Sequence, residues 1–356
     1  MSKVFIIAEA GVNHNGSIGY AKKLIDVAVA AGADAVKFQT FKTDKLVSRD
    51  APKADYQLKA TDNTETQYEM LKKLELDERA HEEIVLYCKQ KNIQFISTPF
   101  DMESVDYLND ELNIPLFKIP SAEITNGPFL LKIARKEKPI ILSTGMSTLG
   151  EIEMALGVLA FGYLNLESTP SFEAFQSAYL SEKGQAVLKR KVTLLHCTTE
   201  YPAPLLEVNL NNIKTLKRAF GLKTGYSDHT MGIAIPIATA AMGVSVIEKH
   251  FTLDKTLPGP DHKASLEPDE LVQMVEAIRE VEKAMGTFVK GPTFSEVKNK
   301  KIARKSLVTA KSIEAGDVFT AENLTFKRPG DGIEPMFYWD YLGRKADKNY
   351  QNDEKI

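Results

Sequence analysis

The sequence predicts an α/β protein, a (β/α)8 TIM barrel followed by a small β-rich domain, and three observations carry that expectation. Eight short runs rich in β-branched and apolar residues recur along the first 252 residues. The segments between them place apolar residues at i, i+3 and i+4, and several close with a glycine suited to a helix C-cap. Past Gly286 the pattern changes to brief β runs broken by turn signals such as EAGD and PGDG.

In chain order, VFIIAEAG (4–11) opens the barrel and AKKLIDVAVAAG supplies its first helix. AVKFQTF (35–41) is the second strand, with ERAHEEIVLYCKQ as its helix, and QFISTPF (94–100) is the third. LFKIPSA (116–122) leads into GPFLLKIARK, and PIILSTG (139–145) is the fifth strand. The stretch LNLESTPSFEAFQSAYLSEKGQAVLKRK (164–191) lengthens the next connection well beyond the usual few residues, which predicts an extra helix or a lid. VTLLHCT (192–198), KTGYSDHT (223–230) and VSVIEKHFT (244–252) complete the strands, with GIAIPIATAAMG between the last two. EPDELVQMVEAIREVEKAMG then closes a barrel spanning 1–286. Residues 287–305 are basic, carry Gly and Pro and show little helical periodicity, so they read as a linker arm before a separate domain at 306–356. A doubly wound open sheet usually has fewer strands and a glycine-rich first turn, and GVNHNGS offers no GxGxxG.

Hydrophobic residues make up 43% of the 356 and charged ones 26%, with a formal net charge of −3, which leaves no broad field for nucleic acid or an anionic membrane. The apolar run before Glu9 is too short for a signal-peptide core, and no run approaches the ~20 apolar residues of a spanning helix, so a cytoplasmic protein is expected. Two cysteines, Cys88 and Cys197, form no CxxC pair and read as reduced thiols.

Active sites of such barrels lie at the C-terminal strand ends. Here those ends carry Glu9, Lys37 and Gln39, Thr98, Lys118 with Ser121 and Glu123, Ser143, His196, Ser227 with Asp228 and His229, and Glu248 with His250. A single polar residue at a strand end has an ordinary explanation, because chain leaving a sheet meets water and helix N-caps favour Ser, Thr and Asp. Eight strands ending this way together place charges and donors around one mouth. Lys37 and Lys118 among hydroxyls predict an anionic, phosphorylated substrate, the alternative being ion pairs with Glu9 or Glu123. His229 and His250 end consecutive strands and form the start of a divalent metal site, or else two hydrogen-bonded barrel histidines. His14 and His262 lie past strand ends as possible substrate contacts, whereas His81 and His196 read as structural.

AEAGVNHNGS, KFQTF, FISTPFD, FKIPSAE, ILSTGMS, LLHCTTEYPAP, GYSDHT, EKHFT and PGPDHKASLEP, followed by SIEAGDVFTAENLTFKRPGDG, resemble the sialic acid synthase family over about Ile6 to Gly343. The resemblance implies a barrel joined to an antifreeze-like (SAF, β-clip) domain, in a homodimer whose small domain is swapped over the partner's active site. It implies a transferase that condenses phosphoenolpyruvate with an N-acylated mannosamine-type sugar, using Mn2+ or Mg2+, to give a nine-carbon 2-keto acid and phosphate.

Carried onto matching positions, the resemblance makes His229 and His250 the metal ligands. Lys37, Thr98, Lys118, Ser121, Ser143 and Tyr201 would surround phosphoenolpyruvate, with Thr199 standing where members often carry Asn or Ser at a phosphate contact. Glu9, Gln39, Glu123, Ser227 and Asp261 would lie around the sugar or assist proton transfer, Glu123 as acid or base and Glu9 on sugar hydroxyls. Arg328 would reach in from the partner subunit toward the N-acyl group. The expected acceptor is N-acetylmannosamine, the product N-acetylneuraminate. A 2,4-diacetamido-trideoxy hexose leading to legionaminic or pseudaminic acid is the alternative, ahead of a pyruvate-dependent metal aldolase or a non-catalytic binding barrel.

Overall fold

The computed structural model describes residues 3–61 and 64–356. It divides into two compact units, Met1–Gly286 and Thr287–Ile356.

The first unit is a (β/α)8 barrel. Its strands are β1 (Phe5–Gly11), β2 (Ala35–Thr40), β3 (Gln94–Pro99), β4 (Phe117–Ile119), β5 (Ile140–Ser143), β6 (Val192–His196), β7 (Lys223–Asp228) and β8 (Val246–His250). They lie in the order β3-β2-β1-β8-β7-β6-β5-β4, every registered pair is parallel, and β3 packs beside β4. The barrel helices are α1 (Ile18–Ala30), α5 (Glu78–Lys91), α6 (Met102–Asp106), α7 (Gly127–Arg135), α8 (Leu149–Tyr163), α11 (Asn211–Phe220), α12 (Ala234–Ala241) and α13 (Pro268–Ala284). Five of them, α1, α5, α6, α7 and α8, start where a side chain caps the first turn. Asp77, for instance, accepts the Ala80 N–H at 2.8 Å to start α5, and Asn92 in the left-handed region (φ 57°) ends it.

The barrel interior is organised by the two-residue pleat. Ile7, Ala35, Ile96, Ile141, Leu195 and Val246 form a dry plug inside the staves. Two residues further along each of those strands the inward position turns polar or ionisable: Glu9, Lys37, Thr98, Ser143, Cys197 and Glu248. On β7 the plug position is Gly225, where an added Cβ would stand 2.5 Å from both a Leu195 methyl and the Val246 carbonyl oxygen. Only glycine fits that close approach, and Ser227 follows it into the mouth.

The foot of the barrel is tied by Asp34. Its carboxylate accepts the Ile6 N–H at 2.8 Å, pairs with Lys3 and Arg279 at 2.5 Å each, and is held below the usual range; burial opposes its charge and these bonds outweigh it. Arg279 also donates to the Val4 carbonyl at 2.8 Å, so the first strand and the last barrel helix are sewn together there.

Of two long connections, one takes the helical form of the sequence-based expectation and the other was not anticipated. Residues 164–191 form two helices, α9 (Phe172–Leu180) and α10 (Glu182–Lys191), and not a lid over the mouth. They pack on α8, which is apolar almost all round and needs cover on its outer side as well as against the barrel. The segment between β2 and α5 instead folds into three short helices, α2 (Thr43–Leu46), α3 (Asp55–Ala60) and α4 (Gln67–Leu74), which contribute to the cavity at the mouth.

In the second unit, the stretch read as an irregular arm contains a helix, α14 (Phe294–Ala303). Thr293 caps it by a reciprocal exchange with Glu296. Beyond it β9 (Ser306–Thr309) pairs antiparallel with β10 (Leu324–Lys327) over a small core of Ile313, Phe319, Leu324, Ala346 and Tyr350. Arg328 follows β10 and is exposed.

Candidate active site

A cavity of about 330 Å³ opens at the C-terminal strand ends, and every residue given a role by the family resemblance lines it except Arg328, which belongs to the second unit. Its floor is a buried cluster of two cations and two carboxylates. Lys37 pairs with Glu9 at 2.8 Å and donates to Thr98 Oγ1 at 3.0 Å. Lys118 donates to Ser143 Oγ at 2.6 Å. Glu248 lies between them, 3.8 Å from Lys37 and 3.5 Å from Lys118, and accepts from Ser227 Oγ at 3.0 Å. Glu248 therefore belongs to the site. The sequence placed it at the strand end beside His250 without assigning its face, because in VIEKH Lys249 takes the outward position and both faces of the strand read as charged.

The cluster divides its protons unevenly. Burial raises Glu9 to about 7, helped by the Glu248 charge and opposed by Lys37. Burial also acts against Glu248, but the two lysines outweigh it and hold that carboxyl below its ordinary value. Lys37 is raised because Glu248 and Glu9 overcome its desolvation, while burial wins at Lys118 and lowers it. Glu9 is thus the carboxyl of the cluster that takes a proton first. The Oε2 atoms of Glu9 and Glu248 are buried without a hydrogen-bond partner, pointing to a ligand that would supply one. The irregular pairing of β1 at Glu9–Gly11 shapes this corner, since a Cβ on Gly11 would stand 3.2 Å from Glu9 Oε1.

Over β4 to β6 three side chains converge on Gly145. A Cβ there would meet Thr199 Oγ1 at 2.5 Å, Ser121 Oγ at 2.9 Å and Cys197 Sγ at 3.1 Å, and the Gly145 N–H donates to Ser121 Oγ at 2.9 Å. With Lys118 and Ser143 this makes a sector rich in donors. Glu123 stands at the rim, half-buried, its Oε2 taking a 2.7 Å bond from Asn126, the N-cap of α7.

Over β7 and β8 stand the two imidazoles, ring centroids 5.5 Å apart, with Tyr201 tilted 31° against His229 at 4.1 Å and Tyr56 beyond it at 5.0 Å. His229 Nδ1 bonds the Thr198 carbonyl at 2.6 Å, which puts the proton on Nδ1 and turns a bare Nε2 outward. Burial lowers His229 to about 4, and burial with the neighbouring His229 takes His250 well below its ordinary value, so both rings are neutral. His250 Nδ1 is buried without a hydrogen bond, 3.7 Å from a carboxylate oxygen of Asp261, which burial raises to about 6. Among the described residues no three acidic, thiol or imidazole groups stand together as a complete cage. Two neutral imidazoles with one orphaned nitrogen and an adjacent acid still fit a divalent ion whose other positions go to substrate or water.

His14 and His262 are not cavity residues. His14 accepts the Gly16 N–H within the loop after β1, while His262 bonds Thr252 and, across to the loop after β1, Asn15. His81 bonds Thr40 and the Asp77 carbonyl, and His196 bonds the Val208 carbonyl, both as structural groups. The cavity residues missed from sequence are chiefly those of the β2–α5 connection, among them Leu46, Tyr56, Gln57 and Met70. The length of that connection was the available signal.

Residues 24–290 match the NeuB family and residues 304–356 the SAF domain. The chain belongs to the NeuB family. This NeuB chain is 54% identical to N,N'-diacetyllegionaminic acid synthase of Campylobacter jejuni over 356 residues, covering all of this chain and 99% of that protein. It is 43% identical to the enzyme of the same name from Legionella pneumophila, over 97% of this chain and 91% of that one. Among solved structures, N-acetylneuraminic acid synthetase of Leptospira borgpetersenii superposes with a TM-score of 0.66 at 32% identity, covering 84% of this chain and 90% of that one. The NeuB chain is accordingly an enzyme, a phosphoenolpyruvate-dependent transferase of the nonulosonic acid synthase kind that forms a carbon–carbon bond. No helix among its described residues is long and apolar enough to cross a membrane.

Proposed function

We propose that this enzyme condenses phosphoenolpyruvate with a 2,4-diacetamido-trideoxy hexose to give N,N'-diacetyllegionaminic acid and phosphate. The observation that carries the choice of acceptor is the 54% identity to a synthase of that name over the full length of both chains. N-acetylmannosamine, the acceptor first expected from the sequence, gives way to the alternative on that ground.

The residues support the chemistry step by step. The sector of Lys118, Ser143, Ser121 and Thr199 binds the phosphate and carboxylate of phosphoenolpyruvate, with Lys37 and Thr98 beside it. His229, His250 and, through Asp261, the adjacent loop would hold Mn2+ or Mg2+, which when bound supplies Lewis-acid polarisation of the acceptor carbonyl. The enol carbon forms the new bond to the acceptor aldehyde, whose oxygen takes a proton. Water adds at the next carbon and loses its protons, the ketone forms, and the C–O bond to phosphate breaks.

Glu9, protonated in part at neutral pH, suits the proton delivery, and Glu123 at the rim suits the removal of protons from water. Lys37 and Lys118 balance the negative charge throughout from the buried floor of the cavity. In the same proposal the enzyme is a homodimer in which Arg328 of one chain serves the other's acceptor.

Phosphate release, followed across 2,4-diacetamido-trideoxy hexoses and N-acetylmannosamine with Mn2+ present, tests the assignment. The highest kcat/KM is expected with a diacetamido sugar; a clear preference for N-acetylmannosamine would refute that choice. Turnover with pyruvate and no phosphate release would refute the synthase chemistry itself. Glu123→Gln is expected to lose at least about 100-fold in kcat, as removal of a general acid or base does.

A further inference from the structure

The strand order divides the mouth into three sectors. Donors for anions stand over β4 to β6, and the two imidazoles over β7 and β8. The remaining sector, over β1 to β3, adjoins the imidazoles because β8 pairs with β1. Its floor is Glu9, Lys37 and Thr98, with Gln39 beside them on β2, and the wall above is mostly apolar.

That wall is one face of a separate small cluster. Val12, Phe41, Met70 and Leu74 form its buried centre, and Leu46, Leu71 and Phe100 pack against them half-exposed. Val12, Leu46, Met70, Leu71 and Phe100 show a side to the cavity, joined by Val47. The neighbouring amides of Gln57 and Gln67 are bonded to each other at 3.2 Å, and Gln57 also takes the Ala54 N–H at 3.0 Å. Among the described residues lining the cavity the lysines are Lys37 and Lys118, both buried on the floor and both facing Glu248.

We infer that this wall receives the end of the acceptor remote from its aldehyde and selects a terminal methyl over a hydroxymethyl or a phosphate group. The inference rests on the proposed reaction, in which the aldehyde lies at His229 and His250. A sugar chain laid from there across the floor has the apolar sector before it. A methyl at its far end leaves water for a surface of carbon. A hydroxymethyl gives up solvent hydrogen bonds there, and a phosphate meets no lysine or arginine among the described residues of the wall. One such group is worth about 10- to 200-fold in kcat/KM.

The test uses acceptor pairs that differ only at the far end: N-acetylmannosamine against its 6-deoxy form, and the diacetamido-trideoxy hexose against its 6-hydroxy counterpart. N-acetylmannosamine 6-phosphate joins them as a third probe. The native enzyme is expected to favour the methyl member of each pair by at least about 10-fold and to use the phosphate least. Leu71→Asn and the near-isosteric Val47→Thr should each shrink that preference severalfold while the KM for phosphoenolpyruvate holds. A native ratio near one, preference for hydroxymethyl or phosphate, or variants that weaken both members of a pair equally would overturn the wall's role.

Failure of the reaction reading looks different. If the diacetamido sugars are not substrates, the N-acetylmannosamine pair still reports the methyl preference. If no acceptor releases phosphate, calorimetric binding of the same pairs decides it.

Discussion

Glu9 and Glu248 are carboxylates of one buried cluster shifted in opposite directions, the first raised by burial and the second lowered by the two lysines. Because the folded value of Glu9 is about 7 against an ordinary 4.5, its ionisation weakens the folded state; the cost is absent below pH 4.5 and grows as pH rises through 7. Glu9→Gln should therefore lose activity and yet compare better with the native protein in thermal unfolding at pH 8 than at pH 5. An identical Tm difference at both values would contradict the division of protons described above. Lys37, Lys118, His229 and His250 were legible in the sequence because a strand end that breaks its apolar run leaves a visible mark. Glu248 was visible at its strand end, but its role was not, since its neighbour Lys249 is equally charged and a one-residue step decides which of them faces the mouth.

At the scale of elements, each imidazole follows a charged residue that points the other way. Asp228 and Lys249 are register partners on β7 and β8, paired at 2.7 Å and fully buried on the outer side of the staves. Asp228 also takes bonds from Tyr226, the Thr230 N–H and the Thr230 hydroxyl, and Lys249 donates to the Thr230 carbonyl. Removing one partner strands a buried charge, so Lys249→Met should cost about 3–5 kcal/mol in denaturant unfolding. Adding Asp228→Asn should return part of that loss, and strictly additive losses would show the two are not coupled.

All eight strands were legible because each is a short run of β-branched and apolar residues set between helical patterns. The role of the β2–α5 connection was not, because α2, α3 and α4 have too few turns to show a period. The helix in residues 294–303 escaped notice for a related reason: its apolar residues form no stripe, and Thr293 and Glu296 at its start were its clearest mark.

For the whole molecule, the separate hydrophobic centres of the two units explain why the domain change could be seen near Gly286 in the sequence. The proposed exchange of Arg328 between chains has a direct test. Arg328→Ala and Glu123→Gln proteins, each expected to be inactive, are mixed after mild dissociation. Random pairing gives half heterodimers, each with one site free of both changes, so about a quarter of native activity should return. Mixtures as inactive as their components would rule the exchange out.

The seam at the barrel's foot has its own consequence. Asp34 and Arg279 bring the start of β1 beside the end of α13, so within this unit the beginning and end of the chain are neighbours while the chemistry sits at the opposite rim. The barrel is thus a closed loop in all but covalent bond. It is suited to circular permutation, with a short bridge across the foot and new ends opened in the exposed turn before α9.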